Sequence, residues 1–288
     1  MTKLCFTTTG AWDLAEGFGC ASLGLAGICG NDEKKVVTRE LDAESVVLTG
    51  KYTEILEQAK QVAAEKPICA AIVVFGNAGG ENAFLAALRK IADCPMVGGG
   101  AAIDGATGKS GLITGGGEAA VLLFTDSRYR YETQTLCIHD KVLKTCDVVT
   151  ADPRTIQTID GVDAAEFLRQ KKAEFGLKQE DFEHLTLSDM GDVNAHLSCK
   201  EGAIKSGRDV HPQMKLRYVA HEKVYETMRR FYDDREAIVF GCAGLSGLLD
   251  KPLDTDSLGL FLFGEVCTVE GKAEFGNLML SKLKITLR

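Results

Sequence analysis

Residues 69–80 read CAAIVVFGNAGG, and this stretch decides much of the fold. Its first seven residues carry no charge, and such a run is typical of a strand that is buried on both faces. The turn at 76–80 follows at once, where glycine permits backbone conformations that other residues avoid. Apolar residues then recur at helical spacing in Phe84, Leu85, Leu88 and Ile91. We therefore predict a buried strand, a sharp turn and an amphipathic helix.

A second copy of this pattern lies near the C-terminus. Residues 237–244 read AIVFGCAG and match 71–79 once one residue is skipped. One offset of 165 residues relates three pairs of glycines, which are Gly79 and Gly244, Gly99 and Gly264, and Gly111 and Gly276. A chance match between abundant glycines is the alternative to an internal duplication. Duplication predicts pseudo-twofold symmetry between residues 71–125 and 237–288, with the paired glycine turns framing one ligand cleft.

The remaining elements complete an α/β protein with two pseudo-symmetric lobes, in which helices flank mixed sheets. Strands and tight turns are expected in the first fifty residues, and further strands near 131–138 and 146–150. Helices are expected after a cap at Thr53, after a cap at Asp163, and over Val224–Tyr232.

Two segments are harder to assign. Residues 186–217 are polar with weak periodicity, which favours loops. The first copy is expected to close as a hairpin, with its turn at 104–108 and its second strand at 119–124. Charged and turn residues become denser after Asp126, so we divide the chain into lobes 1–126 and 127–288.

Composition narrows the partners and the compartment. The formal net charge is -8, with 41 Asp and Glu against 33 Lys and Arg, so we expect neither nucleic acid nor an anionic membrane as a partner. The N-terminus lacks the apolar run of a signal peptide, and no stretch of eighteen apolar residues follows. The 10 cysteines form no C-x-x-C pair and are expected to be buried thiols. These features favour the reducing cytoplasm.

Residues 237–242, 259–265 and 275–277 resemble the C-terminal half of the FIST family. Residues 159–165 resemble the Asp-Gly-x-x-Ala helix entry of that family, and residues 71–125, with Val97-Gly98-Gly99-Gly100, resemble its N-terminal half. The resemblance implies an N-terminal FIST-like lobe at 1–126 and a C-terminal one at 127–288. It also implies a non-enzymatic sensory module that binds a small polar metabolite, such as an amino acid, and signals through a separate protein partner.

The expected ligand-binding residues lie at the ends of the repeated strands, and they are Asn77, Gly98, Gly99, Gly100, Cys242, Gly264, Glu265 and Asn277. Glu265 follows four apolar residues, so its carboxylate can pair with a ligand ammonium group; a solvated turn acid is the alternative. Asn277 can contact ligand or pin a hairpin through its amide.

Enzymatic alternatives rest on Cys242. A hydrolase or a thiol-dependent transferase would use Cys242 with Glu265, although Phe240 occupies the first position of a G-x-[S/C]-x-G elbow, which favours a structural thiol. Residues 103–110 fail as a phosphate loop because Ile103 replaces the first glycine.

No metal and no cofactor are expected from the spacing of the five histidines. A haem-based gas sensor that uses His211 or His196 stays open as a further alternative. The sequence makes no prediction of oligomeric state.

Overall fold

A computed structural model describes most of the chain. The described residues are 2–8, 16–22, 24–25, 35–76, 79–102, 111–113, 116–138, 141–174, 186–188, 194–200, 203–207, 209–210, 215–220, 224–246, 249, 251, 253, 255, 257–269 and 271–288. The expected turn at 104–108 and the predicted ligand residue Asn77 lie outside them.

Strands dominate the fold. They are β1 (Thr2–Thr8), β2 (Phe18–Ser22), β3 (Gly24–Leu25), β4 (Val36–Leu41), β5 (Ser45–Gly50), β6 (Ala70–Phe75), β7 (Met96–Gly100), β8 (Ala119–Phe124), β9 (Tyr129–Cys137), β10 (Lys141–Asp152), β11 (Thr155–Ile159), β12 (Val162–Asp163), β13 (Thr186–Ser188), β14 (Asn194–Lys200), β15 (Ala203–Ser206), β16 (Lys215–Ala220), β17 (Ala237–Cys242), β18 (Leu258–Val269), β19 (Lys272–Gly276) and β20 (Met279–Leu287). The helices are α1 (Tyr52–Glu65), α2 (Glu81–Ile91), α3 (Ala164–Glu174), α4 (Val224–Tyr232) and α5 (Ala243–Ser246).

The central sheet has the same pattern when it is read from either edge. Its order is β5-β8-β6-β7-β18-β17-β20-β9. Each half contains one parallel pair, β6 with β7 and β17 with β18, followed outward by two antiparallel strands. The halves meet in the antiparallel pair β7–β18. This topology confirms the predicted α/β fold with two pseudo-symmetric halves and mixed sheets.

The opposed direction of the two halves brings the ends of their parallel strands together. Phe75 ends β6 and is paired with Gly100, which ends β7. Gly100 is paired with Phe263 of β18, and the neighbouring Leu262 is paired with Cys242, which ends β17. The carboxyl ends of β6, β7 and β17 therefore converge near the middle of the sheet, where an open α/β sheet usually binds ligands.

Both faces of the central sheet are covered. On one face, apolar side chains from both halves pack against the small sheet β2-β1-β4, and Phe6 meets Phe240 edge to face at 6.4 Å. On the other face, α1 and α2 cover the first half and α4 covers the second. Burial on both faces explains why β6 and β17 hold almost only apolar residues.

A second sheet is inserted between β9 and α4. Six of its strands pair in the order β10-β16-β13-β14-β15-β11, and an additional β10–β11 pairing closes the ring. The prediction of loops at 186–217 is therefore wrong for the described residues of that range, most of which form β13, β14, β15 and the start of β16. These strands are built by pairing between segments that are distant in the chain, and no single segment shows that pairing in its own pattern.

Most local predictions are confirmed. The expected helices form as α1, α2, α3 and α4, and Asp163 caps α3 by accepting the Glu166 N–H at 3.0 Å. The N-cap of α1 is Lys51, and Thr53, which the sequence offered as the cap, lies inside the helix. The predicted strand 119–124 forms as β8, but it pairs with β5 and β6, so it is not the second arm of a hairpin with β7. No helix in the described ranges is long and apolar enough for a membrane span.

Candidate functional site

A cleft of about 580 Å³ opens where the strand ends converge. Both halves of the central sheet line it, and the inserted sheet contributes to its rim. The first half supplies Phe75, Gly76, Glu81, Gly100 and Ala101; the second supplies Cys242, Ala243, Gly244, Leu262, Phe263, Gly264, Phe275, Asn277 and Leu278; the inserted sheet supplies Arg154 and Gly207. The site therefore belongs to no single half.

The three consecutive glycines of β7, Gly98, Gly99 and Gly100, allow the two halves to come into contact. A Cβ atom on Gly98 would lie 1.8 Å from the Val73 carbonyl oxygen, and one on Gly100 would lie 2.5 Å from the Phe263 carbonyl oxygen. Side chains at these positions would push β7 away from β6 or β18. Of the three predicted glycines, only Gly100 lines the cleft, while Gly98 and Gly99 act by allowing close strand packing.

Gly264 forms an irregularity in β18 at the cleft wall. Its φ is +76°, and a Cβ atom there would lie 2.5 Å from the Phe275 ring and 2.7 Å from the Gly276 carbonyl oxygen. The register of β18 against β7 shifts at this residue. A bulge of this kind re-aims the next side chain, which is Glu265.

Glu265 points into the protein behind Cys242. Its residue is 0% exposed, and its Oε2 atom accepts the Met279 N–H at 3.2 Å. Burial raises the pKa of its carboxyl group well above the usual value, and its contacts with Cys242 and Met279 offset this only in part. The carboxyl group does not line the cleft itself, so it reaches a ligand through Cys242.

Cys242 separates Glu265 from the cleft. Burial and then the charge of Glu265 raise the pKa of its thiol, whereas the backbone N–H groups of Leu278, Gly244 and Gly264 act in the opposite direction. Both shifts favour the protonated form of the group. A neutral thiol beside a neutral carboxyl group suits hydrogen bonding better than nucleophilic attack.

Two buried polar atoms at this end of β17 lack hydrogen-bond partners among the described residues. They are Oε1 of Glu265 and the hydroxyl of Tyr232. Burial raises the pKa of Tyr232, and the nearby Glu265 and Cys242 charges add to the effect. Tyr232, Glu265 and Cys242 thus form one buried cluster of acids, here called the acid cluster.

A charged group stands on the opposite wall. Nη2 of Arg154 donates to Oε2 of Glu81 at 2.6 Å, and its Nε donates to Oδ1 of Asp209 at 2.9 Å. The Glu81 side chain is only 3% exposed, and its Oε1 atom accepts the Gly79 N–H at 2.8 Å. This ion cluster joins the inserted sheet to the start of α2.

The ion cluster was not among the residues predicted from sequence. Glu81 follows Gly79-Gly80 at the start of a helix, a position where a carboxylate satisfies free backbone N–H groups, and this signal could have marked it. Arg154 comes from the turn between β10 and β11, and the sequence holds no signal that this turn reaches α2.

No protein-family profile and no curated protein matches this chain. Within the described residues, no three His, Cys, Asp or Glu side chains are grouped as metal ligands. The haem candidate His211 lies outside the described residues, and His196 belongs to β14 of the inserted sheet.

Asn277 lines the cleft as predicted and is 7% exposed. A Cβ atom on Gly207 would lie 2.5 Å from its Oδ1 atom, so the inserted sheet packs directly against the amide. Cys242, Gly100, Gly264 and Asn277 are thus brought together at one cleft, with Glu265 behind them.

Proposed function

We propose that this protein binds one small polar metabolite in the cleft between its two halves. The observation that supports this most directly is the convergence of three strand ends on a cavity lined by both halves. Ligand sites in α/β sheets favour such positions, and a cavity of this size can enclose a metabolite. The resemblance to the FIST family adds amino acids as the first class to test.

The same proposal covers the role of the protein. The resemblance implies a non-enzymatic sensory module of FIST type that acts through a separate signalling protein in the cytoplasm. Ligand contacts on both halves and on the inserted sheet offer a physical basis for signalling, because a bound ligand would tie three parts of the chain together.

The experiment is a thermal-shift screen of the purified protein with amino acids and related metabolites. A ligand at one hundred times its Kd would stabilise the folded protein by about 2.7 kcal/mol. The Phe263→Ala variant removes an exposed ring from the cleft wall and should lose most of the ligand-induced shift. Leu287 is also an exposed apolar residue and is absent from the cleft lining, so Leu287→Ala is the matched control. A full panel that produces no shift would contradict the proposal.

The contact between Cys242 and Glu265 supports a second candidate, a thiol-dependent transferase or hydrolase. The thiol faces the cleft and a carboxyl group lies behind it, so Glu265 in its ionised form could take the proton from sulfur during attack on a substrate. The raised pKa of Glu265 disfavours that form, and the raised pKa of the thiol also weighs against this candidate.

A further inference from the structure

Three backbone hydrogen-bond donors beside the cleft are already used. The backbone N–H groups of Gly244, Gly264 and Leu278 are directed at the sulfur of Cys242. A ligand carboxylate usually binds to free backbone N–H groups or to an arginine. These three N–H groups are not free for that purpose.

Arg154 is also engaged on all three of its nitrogens. Besides its bonds to Glu81 and Asp209, its Nη1 atom donates to the Gly207 carbonyl oxygen at 3.3 Å. Two carboxylates surround one guanidinium group, which leaves one uncompensated negative charge in the ion cluster. Three of its five N–H groups are used, and a ligand anion bound to the other two would lie close to both carboxylates.

Further negative charge lies close to the ion cluster. Burial first, and then the charges of Glu81 and Glu118, raise the pKa of Tyr52, against the opposing effect of Arg154. The Tyr52 ring packs edge to face on Phe75, a residue of the cleft wall, with ring centroids 6.1 Å apart. Among the described residues, negative charge therefore prevails on this side of the cleft.

The rest of the cleft is apolar and aromatic. Phe75 and Phe275 meet edge to face with ring centroids 5.5 Å apart, and Phe263 is 49% exposed although it is a large apolar residue. All three line the cleft. Aromatic faces attract both apolar groups and organic cations.

We propose that the cleft selects a primary amine with an apolar body, and that it recognises the ammonium group and leaves any carboxylate of the ligand unbound. The ammonium group donates to Glu81 on the negative wall, and the apolar body packs on the three phenyl rings. This inference rests on the proposed function, because it assigns a ligand class to the same cleft.

Three ligands that carry different charged groups on one phenylethyl frame provide the test. They are phenethylamine, phenylalanine and phenylpropionate, each titrated calorimetrically into the full-length protein. We expect phenethylamine to bind at least about tenfold more tightly than phenylpropionate, as the loss of a charged hydrogen bond implies, with phenylalanine between them. Phenylpropionate that binds as well as phenethylamine would overturn the inference and leave the proposed function standing.

A substitution of Glu81 tests whether its charge causes this preference. Glu81→Gln should reduce the preference for phenethylamine over phenylpropionate by about tenfold, because it removes the charge and keeps the shape. Glu57 is an exposed acid on α1 away from the cleft, and Glu57→Gln should leave the preference unchanged. An unchanged preference in Glu81→Gln would overturn the inference. Failure of all three ligands to bind would also overturn it, while the proposed function falls only if the complete metabolite panel fails as well.

Discussion

The backbones of Gly99 and Gly264 touch across the β7–β18 ladder: a Cβ atom on Gly99 would lie 2.2 Å from the Gly264 carbonyl oxygen. These two glycines were matched by the repeat in the sequence, and the structure brings them face to face where the halves join. Neither residue has room for a side chain, since a Cβ atom on Gly264 would also meet the Phe275 ring.

The Gly99→Ala variant should therefore lose about 2–4 kcal/mol of the free energy of unfolding, because the Gly264 carbonyl oxygen and the Leu262 side chain block the new methyl group. Urea unfolding measures the loss. Gly116 has nothing within 4 Å of its Cβ position, so Gly116→Ala is the control and should change stability by less than about 0.5 kcal/mol. Equal effects of the two substitutions would contradict the close packing at the junction.

The stability of the protein should fall with pH because of Glu265. Its pKa in the folded state is raised above the usual 4.5, so the folded protein keeps a proton that the unfolded chain releases. The stabilisation is complete below pH 4.5 and is lost as pH rises towards the folded pKa, by at most about 1.4 kcal/mol per pH unit. Urea unfolding between about pH 5 and 8 should show this slope in the wild type and a smaller one in Glu265→Gln. Parallel pH profiles would show that Glu265 is not protonated in the folded protein.

Cys242 should react slowly with iodoacetamide at neutral pH, since burial and the charge of Glu265 raise its pKa. The labelling rate should keep rising above about pH 9, where an ordinary thiol is already mostly ionised. Peptide mass spectrometry locates the label, and Cys242→Ala identifies the correct peptide. Rapid labelling at neutral pH would instead favour the thiol-dependent enzyme.

The Tyr232→Phe variant should be as stable as the wild type or slightly more stable. The Tyr232 hydroxyl is buried with no partner among the described residues, so its removal relieves a desolvation cost. The expected change is between about 0 and +1 kcal/mol in thermal or urea unfolding. A loss of more than about 1 kcal/mol would indicate a bridging water that links Tyr232 to Glu265.

The ion cluster should couple Arg154 and Glu81 energetically. A double-mutant cycle with Arg154→Gln and Glu81→Gln should give about 1–3 kcal/mol, because the carboxylate is nearly buried. The pair Arg130 and Glu132 is exposed on both sides and should give less than about 1 kcal/mol in the same cycle. Similar values for both pairs would show that the cluster does not hold the inserted sheet to α2.

The repeated unit could be predicted from the sequence because its signals are local. A run without charge followed by glycines marks β6 and β17, and the constant glycine offset anticipates the contact between Gly99 and Gly264. The inserted ring could not be predicted in the same way. Its strands depend on pairings between distant segments such as β10 and β16, and no single segment carries that information.

The site was only partly predictable for a related reason. The ends of the predicted strands mark Cys242, Gly264 and Asn277 as candidate residues. The burial of Glu265, however, depends on the irregularity at Gly264 and on the packing of β20 behind it. The charge of the opposite wall depends on Arg154, which arrives from the inserted sheet. Composition and spacing do not encode such long-range encounters.

The strand order that reads alike from either edge has a consequence for how a ligand would be held. The cleft takes residues from both halves, so one ligand in it would contact both halves at once. The acid cluster and the ion cluster differ in chemistry, so such a ligand would have one preferred orientation between them. A single copy of the repeated unit would leave β7 or β18 as an open edge. Two such copies would close that edge by pairing with each other, but without the rim that the inserted sheet adds here.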